Sequence, residues 1–495
     1  MAAEGGTDGG FQAYHEPHVI EILILISFFL FLALSDWLAD KIFRAGLIGQ
    51  IIVGLVYGVP LANILEINWR ETFLALGYVG LLLITFEGGL TIRLDLLRQN
   101  FILSTIAALF GLLTPIALSF ALLYAGFGHA PLEAFIVGTA LCSTSLGTIF
   151  VVINSASNAT DYSQTRIGTV LISAAVLDDV CGLVLVSVIH QLRGIAEDGD
   201  VNLGWIIGRP VLASGLLAIL TPLVAKFVAG PLFRRFLEKP LSKFKHTSNI
   251  LLMTVVLCAF LAIAAFAGAS MLFGAFLAGA FLSSIPSKEK TPSELETTSF
   301  VTTFEYYLSG PQKFILQPLF FASIGFAIPF GELWTGEVIW KGVVFTILMV
   351  LSKLVVGLVV PAWDMFSAVG FLKPAPPANE RMSADWAPAT LLGTAMVARG
   401  EIGLLIIQIG LNETPFLTRK AFVVGVWAIV LNTIIGPVSV GVLLEKVGDQ
   451  IATDKTWGIQ SKPRDIDVES AMAPEQPGQD SRLPEGKGEE SIGGV

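Results

Sequence analysis

The sequence predicts an all-α, polytopic membrane protein with about thirteen transmembrane helices. Three observations carry that prediction. Hydrophobic residues make up 54% of the chain and charged residues only 14%, against roughly 25% charged in soluble domains. Mean hydropathy is +0.74. Thirteen stretches reach or approach the roughly 17 to 25 apolar residues that a helix needs to cross a bilayer. These stretches are continuously apolar, without the alternation over about ten residues that marks a transmembrane barrel, so helices are the way their backbone groups are satisfied in lipid.

In chain order, residues 1–18 contain Glu4, Asp8 and Glu16 but no Lys or Arg. They do not read as a cleaved signal and are expected to form a short extracytosolic segment. The spans follow near 19–40, 46–62, 72–91, 101–126, 131–153, 166–191, 210–230, 248–267, 269–285, 312–329, 337–361, 387–411 and 418–445. With the N-terminus outside, sixteen Lys and Arg fall in inner loops and six in outer ones. That asymmetry predicts an outside N-terminus and a cytosolic C-terminus. Residues 446–495 are rich in Pro, Gly, Glu, Asp and Ser, with too few apolar side chains to offset the entropy of ordering. A disordered cytosolic tail is expected there, leaving 19–445 as the membrane domain.

The net charge of −10 comes partly from that tail and gives no support to a nucleic-acid partner. Cys142, Cys181 and Cys258 all fall inside spans, without metal-ligand spacing, and are expected as small buried hydrophobes. His15, Glu16 and His18 look metal-like, but Pro17 disrupts their helical presentation. No cofactor and no resident metal are expected.

Spans five and twelve echo each other. "VGTALCSTSLGTIF" (137–150) and "LGTAMVARGEIGLL" (392–405) share Gly-Thr-Ala followed by polar residues and a further Gly. Both are too polar and too glycine-rich at the centre for an ordinary span, as expected where a helix breaks and lines a cavity. Asp178 lies 38 residues after Ala140 and Asn432 lies 37 after Ala395, so span six and span thirteen carry roughly corresponding polar residues. Inverted repeats whose broken helices meet at the midplane are a common transporter plan.

Charged groups deep in spans cost roughly 2.5 to 3.5 kcal/mol on insertion scales and mark ion pathways or partnered sites. Here they are Asp178 and Asp179 in "AAVLDDVCGLVLV", Lys353 in "ILMVLSKLVVGLVVP", and Arg399 with Glu401 in "MVARGEIGLL". Glu87 in "LITFEGGLTIRL" sits near an inner end. Neighbouring residues on a helix point about 100° apart, so the two acids of span six cannot share one partner. One can pair with Lys353 while the other faces the cavity at the helix breaks. There Thr139, Ser143, Thr144 and Ser145 offer oxygens suited to a small hard cation. Low dielectric favours a protonated carboxyl and a nearby cation favours the ionised form, so proton and metal cation compete for one group. Arg399, Glu401, Glu87 and Asn432 are read as structural or gating residues. Arg399 and Glu401, two apart, do not face each other in a regular helix. His190 is read as interfacial.

The quoted "CSTSLGT", "SAAVLDDVCGLV", "LSKLVVG" and "ARGEIGLL", in spans five, six, eleven and twelve, together resemble the monovalent cation/proton antiporters. The likeness is greatest to the second cation/proton antiporter family, with its two-aspartate signature, and covers 19–445. That resemblance implies a core domain moving elevator-like against a dimerisation domain, crossed broken helices, and a homodimer in the lipid bilayer of a plasma or organelle membrane. It implies Asp179 as the acid that carries cation and proton, Asp178 as the acid paired with Lys353, and electrogenic exchange of Na⁺ or K⁺, with Li⁺ a further candidate, for protons. "FEGGLTIRLDLL" looks more like the neighbouring first antiporter family, and no long nucleotide-binding domain follows the membrane part. Competing readings are a sodium-coupled symporter of an organic anion on a related fold, or an ion channel or sensor. An intramembrane aspartyl protease is disfavoured because "LDDV" lacks a Gly-x-Gly-Asp setting.

Overall fold

Helix is what the apolar runs and the absence of water in a bilayer dictate, and helix is what forms. The computed structural model describes residues 16–92, 98, 100–145, 162, 165–197, 203–233, 235, 245–285, 299–369, 378–454 and 456–459. Its main helices are α1 (Val19–Phe43), α2 (Gly46–Tyr57), α3 (Ile67–Leu90), α4 (Phe101–Ser119), α5 (Pro131–Ala140), α6 (Arg166–Glu197), α7 (Leu203–Val224), α8 (Lys245–Ala267), α9 (Met271–Ser283), α10 (Gln317–Phe326), α11 (Gly336–Gly357), α12 (Val359–Val369), α13 (Ala378–Ala395), α14 (Glu401–Glu413) and α15 (Arg419–Thr453). Among the described residues the only β-pairing is an isolated bridge between Thr165 and Ile459. Among the described residues, eight helical stretches are long and apolar enough to cross a membrane, and α2, α5 and α9 are shorter apolar helices.

The outer surface is hydrocarbon. Along α1 only Phe28, Leu32 and Ala39 are buried, and on α8 Phe266 is 88% exposed, a surface that is stable only against lipid or another apolar face. Cys258, expected as a buried hydrophobe, is instead exposed on α8. A thiol among outward apolar side chains costs little there.

Two packing groups share this interior. In one, α1 packs on α2, α2 and α3 on α10, and α3 and α8 on α9. In the other, α4 packs on α5 and α6, α11 on α4, α13 and α15, and α14 on α5 and α6. Lipid tails are as apolar as leucine, so helix association in the membrane relies on close backbone approach across small residues. The α3–α9 crossing shows how close: a Cβ added to Gly89 would lie 2.0 Å from Phe276 O, and one added to Gly279 would lie 2.1 Å from Phe86 O. The glycines are reciprocal, each making room for the backbone of the other helix.

At the C-terminal end the helix runs past the expected span edge near 445 to Thr453. Val447, Ile451 and Trp457 are buried in one cluster with Ile167, Val170 and Leu171 of α6, which is why order continues beyond the apolar run. The remainder of the expected tail lies outside the described residues.

Gly279→Ala should therefore lower the thermal unfolding temperature of detergent-purified protein, at a cost of about 1–3 kcal/mol for forced overpacking. Gly88→Ala is the control, since a Cβ there meets nothing within 4 Å and should leave the melt unchanged.

Candidate functional site

Two helices stop in mid-structure and touch. α5 ends at Ala140, and Leu141–Ser145 continue without helical structure. α13 ends at Ala395 and the chain resumes as α14 at Glu401. The two interruptions are tied together by Ser145 N donating to Ala398 O at 2.9 Å and by Thr144 Oγ1 within 3.3 Å of Met396 O. Each break leaves the last carbonyls of a helix without intrahelical partners, a partial negative charge that needs donors.

Two buried cations supply them. Lys353, fully buried on α11, donates to Cys142 O, to Thr144 Oγ1 at 3.1 Å and to Asp178 Oδ2 at 2.9 Å. All three ammonium hydrogens thus have acceptors. Arg399, also fully buried, donates through Nη1 to Ser143 O at 3.1 Å and to Met396 O at 3.3 Å. Its own carbonyl accepts from Thr433 Oγ1 at 3.2 Å. One guanidinium therefore bonds carbonyls from both breaks.

Asp178 is fully buried and held hard. Its Oδ2 accepts from Lys353 and, at 2.6 Å, from Thr144 Oγ1, while its Oδ1 has no hydrogen-bond partner. On α4 this carboxylate meets Gly111, where an added Cβ would lie 3.3 Å from Lys353 Nζ and 3.7 Å from Asp178 Oδ1. The missing side chain lets the pair lie against bare α4 backbone. Removing either charge would strand the other in a low-dielectric interior, a far larger loss than the pair's net worth.

Asp179, the next residue round α6, is partly accessible. Among the described residues no side chain or backbone group donates a hydrogen bond to it, while the charges of Glu401, Asp178 and Lys353 act on it. So of two adjacent acids, one accepts from an ammonium and a hydroxyl, and the other accepts no hydrogen bond among the described residues.

The remaining residues sort by distance from this centre. Thr139, Ser143 and Thr144 are buried around the α5 break, with Thr139 Oγ1 unpartnered, and Ser145 is fixed to the opposite break through its backbone. Glu401 opens α14 immediately after its break. Asn432 is fully buried on α15, with Nδ2 donating to Ala428 O at 2.8 Å and Oδ1 unpartnered. Glu87 is elsewhere, on α3 in the other packing group, where Gln312 Nε2 donates to it at 2.7 Å. His190 lies near the end of α6, its Nδ1 2.8 Å from Glu413 Oε2. Sequence reasoning missed the link from Arg399 to both breaks, because the backbone carbonyls it binds carry no residue-type signal.

Comparison with known proteins gives the same neighbourhood. The sequence profile described as "Sodium/hydrogen exchanger, transmembrane" matches residues 24–446. The chain is 26% identical over 407 residues to the Na(+)/H(+)-K(+) antiporter GerN of Bacillus cereus, covering 82% of this chain and 91% of that protein. It is also 26% identical over 406 residues to a Na(+)/H(+) antiporter of Enterococcus hirae, covering 81% and 92%. In fold it is similar to the sodium proton antiporter MjNhaP1 of Methanocaldococcus jannaschii, with a TM-score of 0.55 at 15% identity over 87% of this chain and 97% of that one.

Lys353→Met should destabilise the protein by about 3–5 kcal/mol, the usual cost of stranding one partner of a buried pair. Adding Asp178→Asn to that variant should recover most of the loss. Thermal melts of wild type, both single variants and the double variant check this. Equal melts for Lys353→Met and wild type would show that the pair is not closed in the native state.

Proposed function

The chain belongs to the transmembrane sodium/hydrogen exchanger family, and from that premise we propose that it exchanges Na⁺ or K⁺ for protons by competition at Asp179. The observation that carries this reading is the asymmetry of the two acids. Asp178 accepts from Lys353 and Thr144, whereas Asp179 is partly accessible and accepts no hydrogen bond among the described residues.

In the proposed cycle a proton on Asp179 leaves the group neutral and a cation on the carboxylate also neutralises it. Each occupant must leave before the other binds. If the site opens alternately to the two sides, that exclusion couples the flows without a separate energy source. Hydroxyls of Thr139 and Ser143 and carbonyls freed at the breaks are the proposed further oxygens for the cation, a small hard ion that prefers oxygen ligands. Arg399 and Lys353 hold the breaks, so that they keep their shape while the occupant changes. Glu401 sits close enough to Asp179 to act on it electrostatically, which suits a residue that gates occupancy.

The architecture we propose around this site has thirteen crossings within 19–445, the N-terminus outside and the C-terminus in the cytosol. The group built from α4, α5, α6, α11, α13, α14 and α15 is the proposed moving core. The group built from α1, α2, α3, α8, α9 and α10 is the proposed dimerisation domain, with elevator-like displacement between them. Exchange of more than one proton per cation is proposed because Lys353 adds a second titratable group to the transported unit.

Proteoliposomes with an entrapped pH dye and an imposed proton gradient test the cycle. Na⁺, K⁺ or Li⁺ should dissipate the gradient in wild type, and Asp179→Asn should give no response. A normal response from that variant would remove Asp179 from the mechanism. With membrane voltage clamped by K⁺ and valinomycin, Na⁺-driven exchange should change rate with voltage. A flat voltage dependence would reject exchange of more than one proton per cation.

A further inference from the structure

Glu133, in the first turn of α5, is only 4% exposed. A carboxylate with so little water needs donors, and it has them from two helices. Its Oε2 accepts from Ala130 N at 3.0 Å, the reach of an N3 glutamate back to its own N-cap amide, and lies 3.0 Å from His129 Nδ1. Its Oε1 accepts from Thr418 N at 2.9 Å, and Thr418 is the N-cap of α15. One negative group therefore sits at the positive ends of two helix dipoles. The first oxygen serves α5 itself, while the second joins α5 to a residue 285 positions away.

The other end of α5 is tied to α15 as well. Just past that end, Ser143 O accepts from Arg399 Nη1 at 3.1 Å, and Arg399 O accepts from Thr433 Oγ1 of α15 at 3.2 Å. Between the ties, α5 lies against two glycines. A Cβ added to Gly410 of α14 would stand 2.5 Å from Ile136 Cγ2, and one added to Gly425 of α15 would stand 3.1 Å from Val137 Cγ1. With ten residues, α5 is shorter than the roughly 12 to 15 at which an isolated helix begins to hold its own shape. Its place comes from what grips it. Apolar packing lets a helix slide by tenths of an ångström, whereas a hydrogen bond at each end fixes its position along its axis.

We infer that Glu133 is a positioning residue for the cation site: its bond to Thr418 N sets how far α5 reaches along α15, and so where the oxygens of Thr139, Ser143 and the α5 break stand. About 15 Å of helix separates the carboxylate from that break, so Glu133 acts through α5 and touches no cation. The inference rests on the proposed reading of the break as part of the cation site. Alkali cations differ mainly in radius, and a displaced set of oxygens changes which ion fits as well as how tightly it is held.

Two substitutions break the tie from opposite sides. Glu133→Gln keeps the shape but has one acceptor oxygen where the carboxylate has two, so one helix loses its partner. Thr418→Pro removes the N–H donor at a residue whose φ of −77° suits proline. Thr418→Ala loses the same hydroxyl, which accepts from Ala421 N, but keeps the N–H. In the proteoliposome assay the cation concentration for half-maximal dissipation should rise about tenfold in Glu133→Gln and in Thr418→Pro, the scale on which partners of metal-site ligands act. The ratio of those concentrations among Na⁺, K⁺ and Li⁺ should change with it, and Thr418→Ala should follow wild type. Loss of stability alone would lower the number of active transporters, and so the rate, without moving the concentration or the ratio. Wild-type values in Glu133→Gln, or equal shifts in Thr418→Ala and Thr418→Pro, would overturn the inference. Thermal melts read the tie without transport. The step from Thr418→Ala to Thr418→Pro should lower the melting temperature when Glu133 is present and much less in the Glu133→Gln background. Equal steps would overturn the tie alone, whereas a wild type that responds to no cation would end the exchange reading and the positioning role with it.

Discussion

The Lys353–Asp178 pair is the interaction on which the rest of the site depends. It joins α11 to α6 at 2.9 Å with neither side chain exposed, and the same ammonium also reaches the carbonyl of Cys142 at the α5 break. Such a pair is weak evidence for stability, because removing two charges from water costs about as much as their attraction returns. Its value lies in what it fixes. With its three acceptors on Cys142, Thr144 and Asp178, Lys353 ties α11 at once to the α5 break and to α6. Arg399 does the corresponding work for the α13 break.

The surrounding helices show a division of labour that the bilayer imposes. Outside, apolar side chains meet lipid and carry little positional information, as α1 and α8 do with most of their residues exposed. Inside, position is set by small residues and by polar ties. Gly89 and Gly279 bring α3 and α9 into backbone contact, and Gly111 lets the ion pair rest against α4. The polar ties concentrate on α5, α6, α11, α13 and α14, where a misplaced hydrogen-bonding group has no water to turn to. The helices of this group pack more on one another than on the other packing group.

Much of this was legible in the chain because lipid makes polar residues expensive. Continuous apolar runs gave the all-α class, and the cost of a buried charge drew attention to Asp178, Asp179, Lys353, Arg399 and Glu401. The Gly-Thr-Ala echo marked both interruptions, which fall at Ala140 and Ala395. Partners were harder to read, because contacts such as Arg399 to Ser143 O, 256 positions apart, end on a backbone atom that every residue type possesses. The 446–459 segment was misleading for a related reason. Its composition is polar, and a single Trp457 with a few aliphatic side chains on α15 holds it in place, a signal too sparse for composition to register. Glu87 carried the same sequence signal as the other intramembrane acids and is in the other packing group. A costly charge announces that it has a partner without saying which.

The central claim is that one unpaired acid holds a proton or a cation and never both. Calorimetric titration of cation into purified protein, in buffers of differing ionisation enthalpy, counts the protons that binding displaces. At a pH where the cation-free protein is protonated at Asp179, the account predicts proton release in proportion to cation bound, falling away as the pH is raised and the proton has already left. Cation binding that releases no protons across the whole pH range would contradict it.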